Sequence, residues 1–129
     1  MNPKEKSEIK IVTGNYCITA RIYQTKTAKE ILNMLPIQGI ANVWGNEIYF
    51  PISLRMEEEA EARDELEIGE LGFWPTGSAF CIFFGSTPVS RNNEPRAYSN
   101  VNVFGKIING SEYLKKIKQG DLIKVMNNV

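Results

Sequence analysis

Hydrophobic and polar residues alternate along the first quarter of the chain, a period-two pattern typical of half-buried β-strands. The pattern covers residues 8–13 and resumes over residues 16–22. Gly14 and Asn15 lie between the two runs, and both tolerate the positive φ angles of a tight hairpin turn. We therefore predict that the chain begins with an antiparallel hairpin.

A second hairpin is predicted around Gly45 and Asn46, which form another two-residue turn signal. Residues 37–44 precede this turn and are interpreted as one strand, and residues 47–52 follow it as the next strand. The stretch from Gly69 to Gly85 then contains two apolar runs, LGFW and SAFCIFF, separated by Pro-Thr-Gly. Since SAFCIFF is apolar on both faces after its serine, we expect it to be covered on both sides and place it at the centre of the fold.

The remaining elements are two short helices and two further strands. Ala28, Ile31 and Leu32 recur at helical spacing, which predicts a helix over residues 28–35. Thr27 is its expected N-cap, with Glu30 three residues later in a capping-box pattern.

A second helix is predicted from Ser111, its expected cap, to a C-terminal cap at Gly120. Strands are expected over residues 100–108 and 121–126. With about eight strands and two short helices, the pattern predicts a mainly β fold, a closed eight-stranded antiparallel β-barrel with a helix near each end. We expect one domain over residues 1–129, with residues 1–7 and 127–129 frayed.

Two segments lack a clear pattern. Residues 55–70 carry eight acidic residues against two arginines, and we interpret this segment mainly as solvated surface, with Leu66 and Ile68 returning to the sheet. Residues 85–99 are rich in Gly, Ser, Pro and Asn and are predicted to form a long loop. Long loops inside a small domain are often functional.

Composition narrows the function classes. The chain has 129 residues, 43% of them hydrophobic, and fifteen basic residues balance fifteen acidic ones. A neutral chain gives no electrostatic reason to expect nucleic acid or anionic lipid as a partner. No apolar run approaches the length of a membrane span or signal peptide, so we expect a cytoplasmic protein with no membrane partner.

The chain contains no histidine and only two cysteines, Cys17 and Cys81. Without histidine, Ser/His and Cys/His catalytic pairs and His-ligated zinc are excluded. We therefore expect neither a metal site nor a cofactor. Both cysteines lie in apolar strand-like runs, which predicts buried free thiols.

Four segments together resemble a group of small prokaryotic cyclophilin-like proteins of uncharacterised function. The segments, which read NVWGNEIYF, FWPTG, FFGSTP and VNVFGKI, are residues 42–50, 73–77, 83–88 and 101–107. The similarity extends over roughly residues 8–126, and it implies the cyclophilin-like barrel that the strand pattern also predicts.

The resemblance does not extend to the isomerase site of cyclophilins. The FHR-x-x-x-x-FMxQGGD block, whose arginine donates to the twisted prolyl amide, is missing, and Arg55 is a poor match for that arginine. By similarity of the GSQFFI strand, the Gln and Phe of the prolyl pocket correspond to Ala79 and Cys81. A divergent peptidyl-prolyl isomerase is therefore an alternative and not the preferred hypothesis.

The candidate binding residues are aromatic side chains and one carboxylate. If Ile48 and Phe50 fill the core, Glu47 and Tyr49 point the other way, into solvent or a groove, beside Trp44. A carboxylate next to two aromatic rings is suited to a cation, an amine or a hydroxyl group. The predicted ligand-binding set consists of Trp44, Glu47, Tyr49, Phe73, Cys81 and Phe83.

Of Phe73 and Trp74, we expect one in the core and the other in the groove. Cys81 is not expected to act as a nucleophile, because an apolar setting raises the pKa of a thiol.

Three functions remain open. We prefer a groove that binds a small molecule or an extended peptide without covalent chemistry. The second is the divergent isomerase, which needs only an environment that twists the amide and one hydrogen-bond donor. The third is an interaction or assembly protein whose exposed aromatics form a homo-oligomer face.

Overall fold

The computed structural model describes residues 7–128 of the chain, which are mostly antiparallel β-strand. The strands are β1 (Ser7–Thr13), β2 (Tyr16–Ile22), β3 (Ile37–Ile40), β4 (Asn42–Trp44), β5 (Glu47–Pro51), β6 (Arg63–Glu65), β7 (Glu70–Trp74), β8 (Ala79–Phe83), β9 (Arg96–Asn109) and β10 (Leu122–Asn127). The helices are α1 (Lys26–Met34) and a 3₁₀ helix (Ser111–Lys116). Ser7 and Asn127 belong to strands, and the rest of the expected frayed ends, apart from residue 128, lies outside the described residues.

The prediction of a closed eight-stranded barrel is wrong in two respects. Within residues 7–128 the sheet has ten strands, and its order is β3-β10-β1-β2-β9-β7-β8-β5-β4, with β6 paired to β9. The edge strands β3 and β4 form no ladder with each other. The sheet instead curls until β3 packs against β5, where a Cβ on Gly39 would lie 2.6 Å from the Phe50 ring.

The two extra strands arise from pairing with distant parts of the chain. Ala41 is fully buried and exchanges backbone hydrogen bonds with residues 120 and 121, so it divides the single strand predicted over 37–44. The first half pairs with β10 and the second half with β5. The other new strand, β6, lies in the acidic segment and pairs with β9, which begins at Arg96 instead of residue 100.

The helix ends also differ from the predictions. Thr25, not Thr27, caps α1, and its hydroxyl accepts a hydrogen bond from the Ala28 N–H at 3.0 Å. Thr27 is buried in the first turn and bonds to Glu59 instead. Gly110 with φ of 90° precedes the 3₁₀ helix, so Ser111 is its first residue, not its cap, and Gly120 lies in the turn that follows it.

Residues that alternate along the strands belong to two different hydrophobic clusters. The larger one, here called the inner core, contains Phe80 and Ile82 of β8. The smaller one, here called the outer cluster, consists of Leu66, Ala79, Cys81, Phe83, Ala97 and Val101. All five residues of β8 are buried, which confirms that this strand is covered on both faces. It is not central in the sheet, however, because it lies third from the β4 edge, and β9 occupies the middle.

Candidate functional site

A pocket of about 270 Å³ opens beside the outer cluster. Strands β4, β5, β7 and β9 supply its walls, and most of its side chains are aromatic or aliphatic. Its lining residues are Trp44, Glu47, Tyr49, Trp74, Ala97, Tyr98 and Val101. An apolar concavity with few polar groups is the usual form of a small-molecule site, and the volume of this one is slightly below the usual range for such sites.

The hairpin between β4 and β5 fixes one side of the pocket. Gly45 has a positive φ of 61°, and a Cβ there would lie 2.9 Å from the Thr87 backbone. Asn46 exchanges backbone hydrogen bonds of 2.9 Å with Ser86 and Phe84. The hairpin is therefore held against the segment that follows β8. Because Trp44 and Glu47 pair directly across the turn, the same contacts position both side chains.

Three aromatic rings meet at the mouth of the pocket. The Tyr98 ring lies between the two tryptophans, with centroids 6.4 Å from Trp44 and 6.1 Å from Trp74, both in edge-to-face geometry. The Trp74 indole N–H donates to the Ser99 hydroxyl at 2.7 Å. Two neighbouring residues of β9, Tyr98 and Ser99, therefore hold the Trp74 side chain in place. Tyr98 itself is 73% exposed and forms the rim of the pocket.

Glu47 is the charged group of the pocket. It is 6% exposed, and within residues 7–128 no arginine or lysine forms an ion pair with it. Burial raises the pKa of Glu47 from 4.5 to about 7, and a hydrogen bond from the Cys81 thiol opposes this rise. At neutral pH the side chain therefore exists in both protonation states, so it can accept a proton or donate one.

Cys81 lies beneath the pocket and is 1% exposed. Burial, and then the nearby charge of Glu47, raises the pKa of its thiol well above the ordinary value. This setting opposes thiolate chemistry. Cys17, by contrast, is exposed, so the prediction that both thiols are buried is wrong for Cys17, which lies on the outward face of β2, opposite Ile18.

The predicted binding residues separate into three groups. Trp44, Glu47 and Tyr49 line the pocket. Cys81 and Phe83 lie below it in the outer cluster. Phe73 is fully buried in the inner core and faces the other side of the sheet.

Sequence reasoning missed Ala97, Tyr98 and Val101. The first two lie within residues 85–99, for which the composition predicts a long loop, but β9 begins before them at Arg96. The alternation of Ala97, Ser99 and Val101 with polar or aromatic neighbours was an available signal. Trp74 lines the pocket and Phe73 lies in the inner core, which resolves the open choice between these two residues.

Two other clefts are polar. One lies between Tyr23, Glu59 and Arg63, and two of its charged groups bond to protein atoms, since Glu59 accepts from Thr27 and Arg63 pairs with Glu70. The other contains Arg55 together with Lys26 and several glutamates. Arg55 therefore lies in a different cleft from the aromatic pocket, whose lining includes no arginine.

Residues 7–128 contain neither a cluster suited to hold a metal ion nor a helix suited to cross a membrane. No three His, Cys, Asp or Glu side chains come together closely enough to hold a metal ion there. None of the helices in the described part of the chain has the length and apolar character needed to cross a membrane.

Comparison with known proteins identifies the family. The model of the family described as cyclophilin-like matches residues 7–126. This chain belongs to the cyclophilin-like family. The solution structure of the hypothetical protein AF2241 from Archaeoglobus fulgidus is similar, with a TM-score of 0.82 and 32% sequence identity over 99% of this chain and 100% of that one. A search of the curated proteins found no match.

Proposed function

We propose that this cyclophilin-like protein binds a small molecule, or one side chain of an extended peptide, in the aromatic pocket without covalent chemistry. The observation that carries this proposal is the buried carboxyl of Glu47 at the wall of an open apolar pocket. Burying a carboxylate without a cation is unfavourable, and such perturbed groups in clefts are often found at functional sites.

The chemistry of the pocket favours binding over covalent catalysis. The chain has no histidine, and the thiol nearest to Glu47 has a raised pKa. The pocket instead provides rigid aromatic surfaces and a single group that exchanges protons near neutral pH. These are means of recognising a ligand and fixing its orientation.

The two tryptophans of the chain provide a direct test, because both line the pocket. A library of small polar and aromatic compounds and short peptides is screened by tryptophan fluorescence and thermal shift. A ligand of the native state must raise the melting temperature and is expected to change the tryptophan emission. Compounds that raise the melting temperature without affecting either tryptophan would place the site elsewhere.

Matched variants make this test specific. Tyr98→Ala removes the rim of the pocket, and Glu47→Gln removes its charge while keeping its shape. Glu112→Gln is the control, because Glu112 is exposed on the 3₁₀ helix. The pocket variants should weaken binding while the control should not, and equal binding by all of them would contradict the proposal.

A divergent prolyl isomerase is the second candidate. The observation in its favour is Glu47, whose protonated form is a hydrogen-bond donor in an apolar groove, where a donor to a twisted amide would be needed. A protease-coupled assay on a tetrapeptide panel tests this candidate. Acceleration that disappears in Glu47→Gln would support it, and the uncatalysed rate throughout would exclude it.

A further inference from the structure

We propose that the group recognised by this pocket is an alkylated ammonium ion, surrounded by the aromatic rings and neutralised by Glu47. This inference rests on the proposed function and specifies the chemistry of the ligand. Two sources supply such a group: a free quaternary amine, and the methylated lysine of a peptide.

The charge balance of the pocket is the first argument. Glu47 is the one ionisable acid or base among the lining residues apart from two tyrosines. The nearest guanidinium along β9 belongs to Arg96, which is held by Glu94 at 2.8 Å and by Asp64 and Glu65 at 3.1 Å. Since three carboxylates already engage that cation, a cationic ligand is the remaining source of a positive charge for ionised Glu47.

The aromatic rings are the second argument. Trp44, Tyr49, Trp74 and Tyr98 all line the same small volume as Glu47. The faces of indole and phenol rings attract cations electrostatically, most strongly when the cation is desolvated. The rings and the carboxylate therefore favour the same charge on the ligand.

Hydrogen-bonding capacity explains why the ammonium should be alkylated. A primary ammonium has three N–H donors, and leaving them unpaired in an apolar site is unfavourable. The lining offers one carboxylate, and the remaining walls are mainly ring and aliphatic surfaces. A quaternary ammonium has no N–H donors to satisfy, and its methyl groups bury apolar surface against the rings.

The size of the pocket agrees with a compact head group. Its volume of about 270 Å³ is below that of most sites for drug-sized ligands. The rim residue Tyr98 is 73% exposed, so a chain attached to the ammonium can leave the pocket towards solvent. This geometry accepts both a small free amine and the end of a lysine side chain.

The probe is choline, and its matched control is the neutral analogue in which a tert-butyl group replaces the trimethylammonium group. Binding to the full chain is followed by tryptophan fluorescence at about pH 8.5, where Glu47 is ionised. We expect choline to bind with a dissociation constant on the order of 1 mM and the neutral analogue at least about tenfold more weakly. In Glu47→Gln the preference for choline over the neutral analogue should shrink to the part that the aromatic rings supply, whereas Glu112→Gln should behave as the wild type.

The pH dependence provides a second readout, because choline keeps its charge at every pH. With the pKa of Glu47 at about 7, choline should bind more weakly at about pH 5.5 than at about pH 8.5, by a factor of up to about thirty, which is the fall in the ionised fraction of Glu47. The other titratable groups that face Glu47 are the Cys81 thiol and the phenols of Tyr49 and Tyr98. None of these three carries a positive charge in either protonation state, so protonation of Glu47 is the expected source of the change.

Two results would overturn the inference. One is the absence of choline binding up to about 50 mM, and the other is equal binding of the neutral analogue by the wild-type protein. In the second case the pocket still binds a ligand, so the proposed function stands and only the ligand class fails. If neither these probes nor the compound library affects the tryptophans, the proposed function fails as well.

The source of the ammonium is decided by a further pair of probes. A short peptide containing trimethyl-lysine is compared with the same peptide containing unmodified lysine. Trimethyl-lysine peptide binding at least about tenfold tighter than choline would identify a peptide ligand. Binding no tighter than choline would identify a free quaternary amine, and both results support the ammonium chemistry.

Discussion

Two buried glutamates of this protein have opposite electrostatic environments. Glu47 begins β5 and is 6% exposed, and Glu70 begins β7 and is 2% exposed. Burial removes water from both carboxylates, so by itself it raises both pKa values. What distinguishes the two residues is therefore the set of groups that replaces the water.

Glu70 has a full set of protein partners. Arg63 donates two hydrogen bonds of 2.8 Å to its carboxylate, and the Glu67 N–H and the Tyr23 hydroxyl donate one each. Burial raises the pKa of Glu70, but the hydrogen bonds from Arg63 and then Glu67 outweigh that effect and lower it below its usual value. Burial, and then the charge of this same carboxylate, raises the pKa of Tyr23 to about 12. Glu70 is thus a structural charge.

For Glu47, burial raises the pKa and the Cys81 thiol lowers it. The effect of burial is larger, so the pKa rises to about 7. The comparison shows that burial of a carboxylate does not by itself indicate function. A fully bonded buried charge connects elements of the fold, whereas an uncompensated one in an open pocket is available to a ligand.

The largest effect is expected when Glu70 is removed. Glu70→Ala deletes all four hydrogen bonds to a buried carboxylate, although Arg63 keeps its hydrogen bond of 2.9 Å to the Glu65 carbonyl. The loss should lower the free energy of unfolding by about 4 kcal/mol at neutral pH. Because the pKa of Glu70 is lowered on folding, its contribution is present above its ordinary value of 4.5 and is lost in acid. Urea unfolding at neutral and acidic pH should therefore show a difference that shrinks as the pH falls.

Glu67→Ala is the matched control for this experiment. Its carboxylate forms an exposed ion pair of 2.7 Å with Lys106, so its loss should change the free energy of unfolding by less than about 1 kcal/mol. An equal effect of the two substitutions would show that the bonds to Glu70 do not stabilise the fold.

Replacing Glu47 should have the opposite sign. Because the pKa of Glu47 is raised from 4.5 to about 7 on folding, its stabilising contribution is present below pH 4.5 and is lost as the pH rises through about 7. Glu47→Gln should therefore increase the free energy of unfolding at about pH 8 by on the order of 3 kcal/mol, with little change near pH 4.5. Chemical denaturation across this pH range measures the difference, and a less stable variant at about pH 8 would refute it.

The sequence predicts the position of Glu47 but not that of Glu70. The alternation that places Ile48 and Phe50 in the inner core correctly directs Glu47 and Tyr49 to the opposite face. Period-two patterning is a local property, so it was readable without the fold. The family resemblance is also confirmed, since the cyclophilin-like family model matches residues 7–126. It was detectable from the sequence because its four segments follow one another along the chain.

Other features depend on contacts between distant residues. The pairing of Arg63 with Glu70 occurs inside a segment interpreted as solvated surface, because its charge count does not reveal which carboxylate is buried. Ala41 divides a run that looks continuous, since its backbone partners lie about eighty residues later. The contribution of Tyr98 to the pocket likewise requires β9 to cross beside β7, which no local pattern specifies.

The interaction between Glu47 and Cys81 offers a further test of the difference between Glu47 and Glu70. The thiol hydrogen bond lowers the pKa of Glu47, against the larger effect of burial, so Cys81→Ala should raise that pKa further. Loss of the buried sulfur should also cost about 1 kcal/mol of unfolding free energy. Carbon-detected NMR titration of the glutamate carboxyls measures the pKa. Cys17→Ala is the control, since Cys17 is exposed, and a shift of the Glu47 titration there would contradict this assignment.

The smallest effect on stability is expected at Tyr98, where the effect on binding should nevertheless be large. Its ring is 73% exposed, so Tyr98→Ala should change the free energy of unfolding by less than about 0.5 kcal/mol. The same ring contacts both tryptophans at the mouth of the pocket, and its loss should weaken ligand binding about tenfold.

Tyr113→Ala provides the reverse case, because Tyr113 is half-buried and stacks on Tyr16 with centroids 4.9 Å apart, and it does not line the pocket. This substitution should cost about 1 kcal/mol of stability while ligand binding is unchanged. Paired denaturation and fluorescence titrations of the two variants therefore separate packing from recognition. If Tyr98→Ala instead lowered the stability and left ligand binding unchanged, as expected for Tyr113→Ala, then Tyr98 would contribute to packing and not to recognition. The pocket would then lack an aromatic rim that assists Glu47 in binding a ligand.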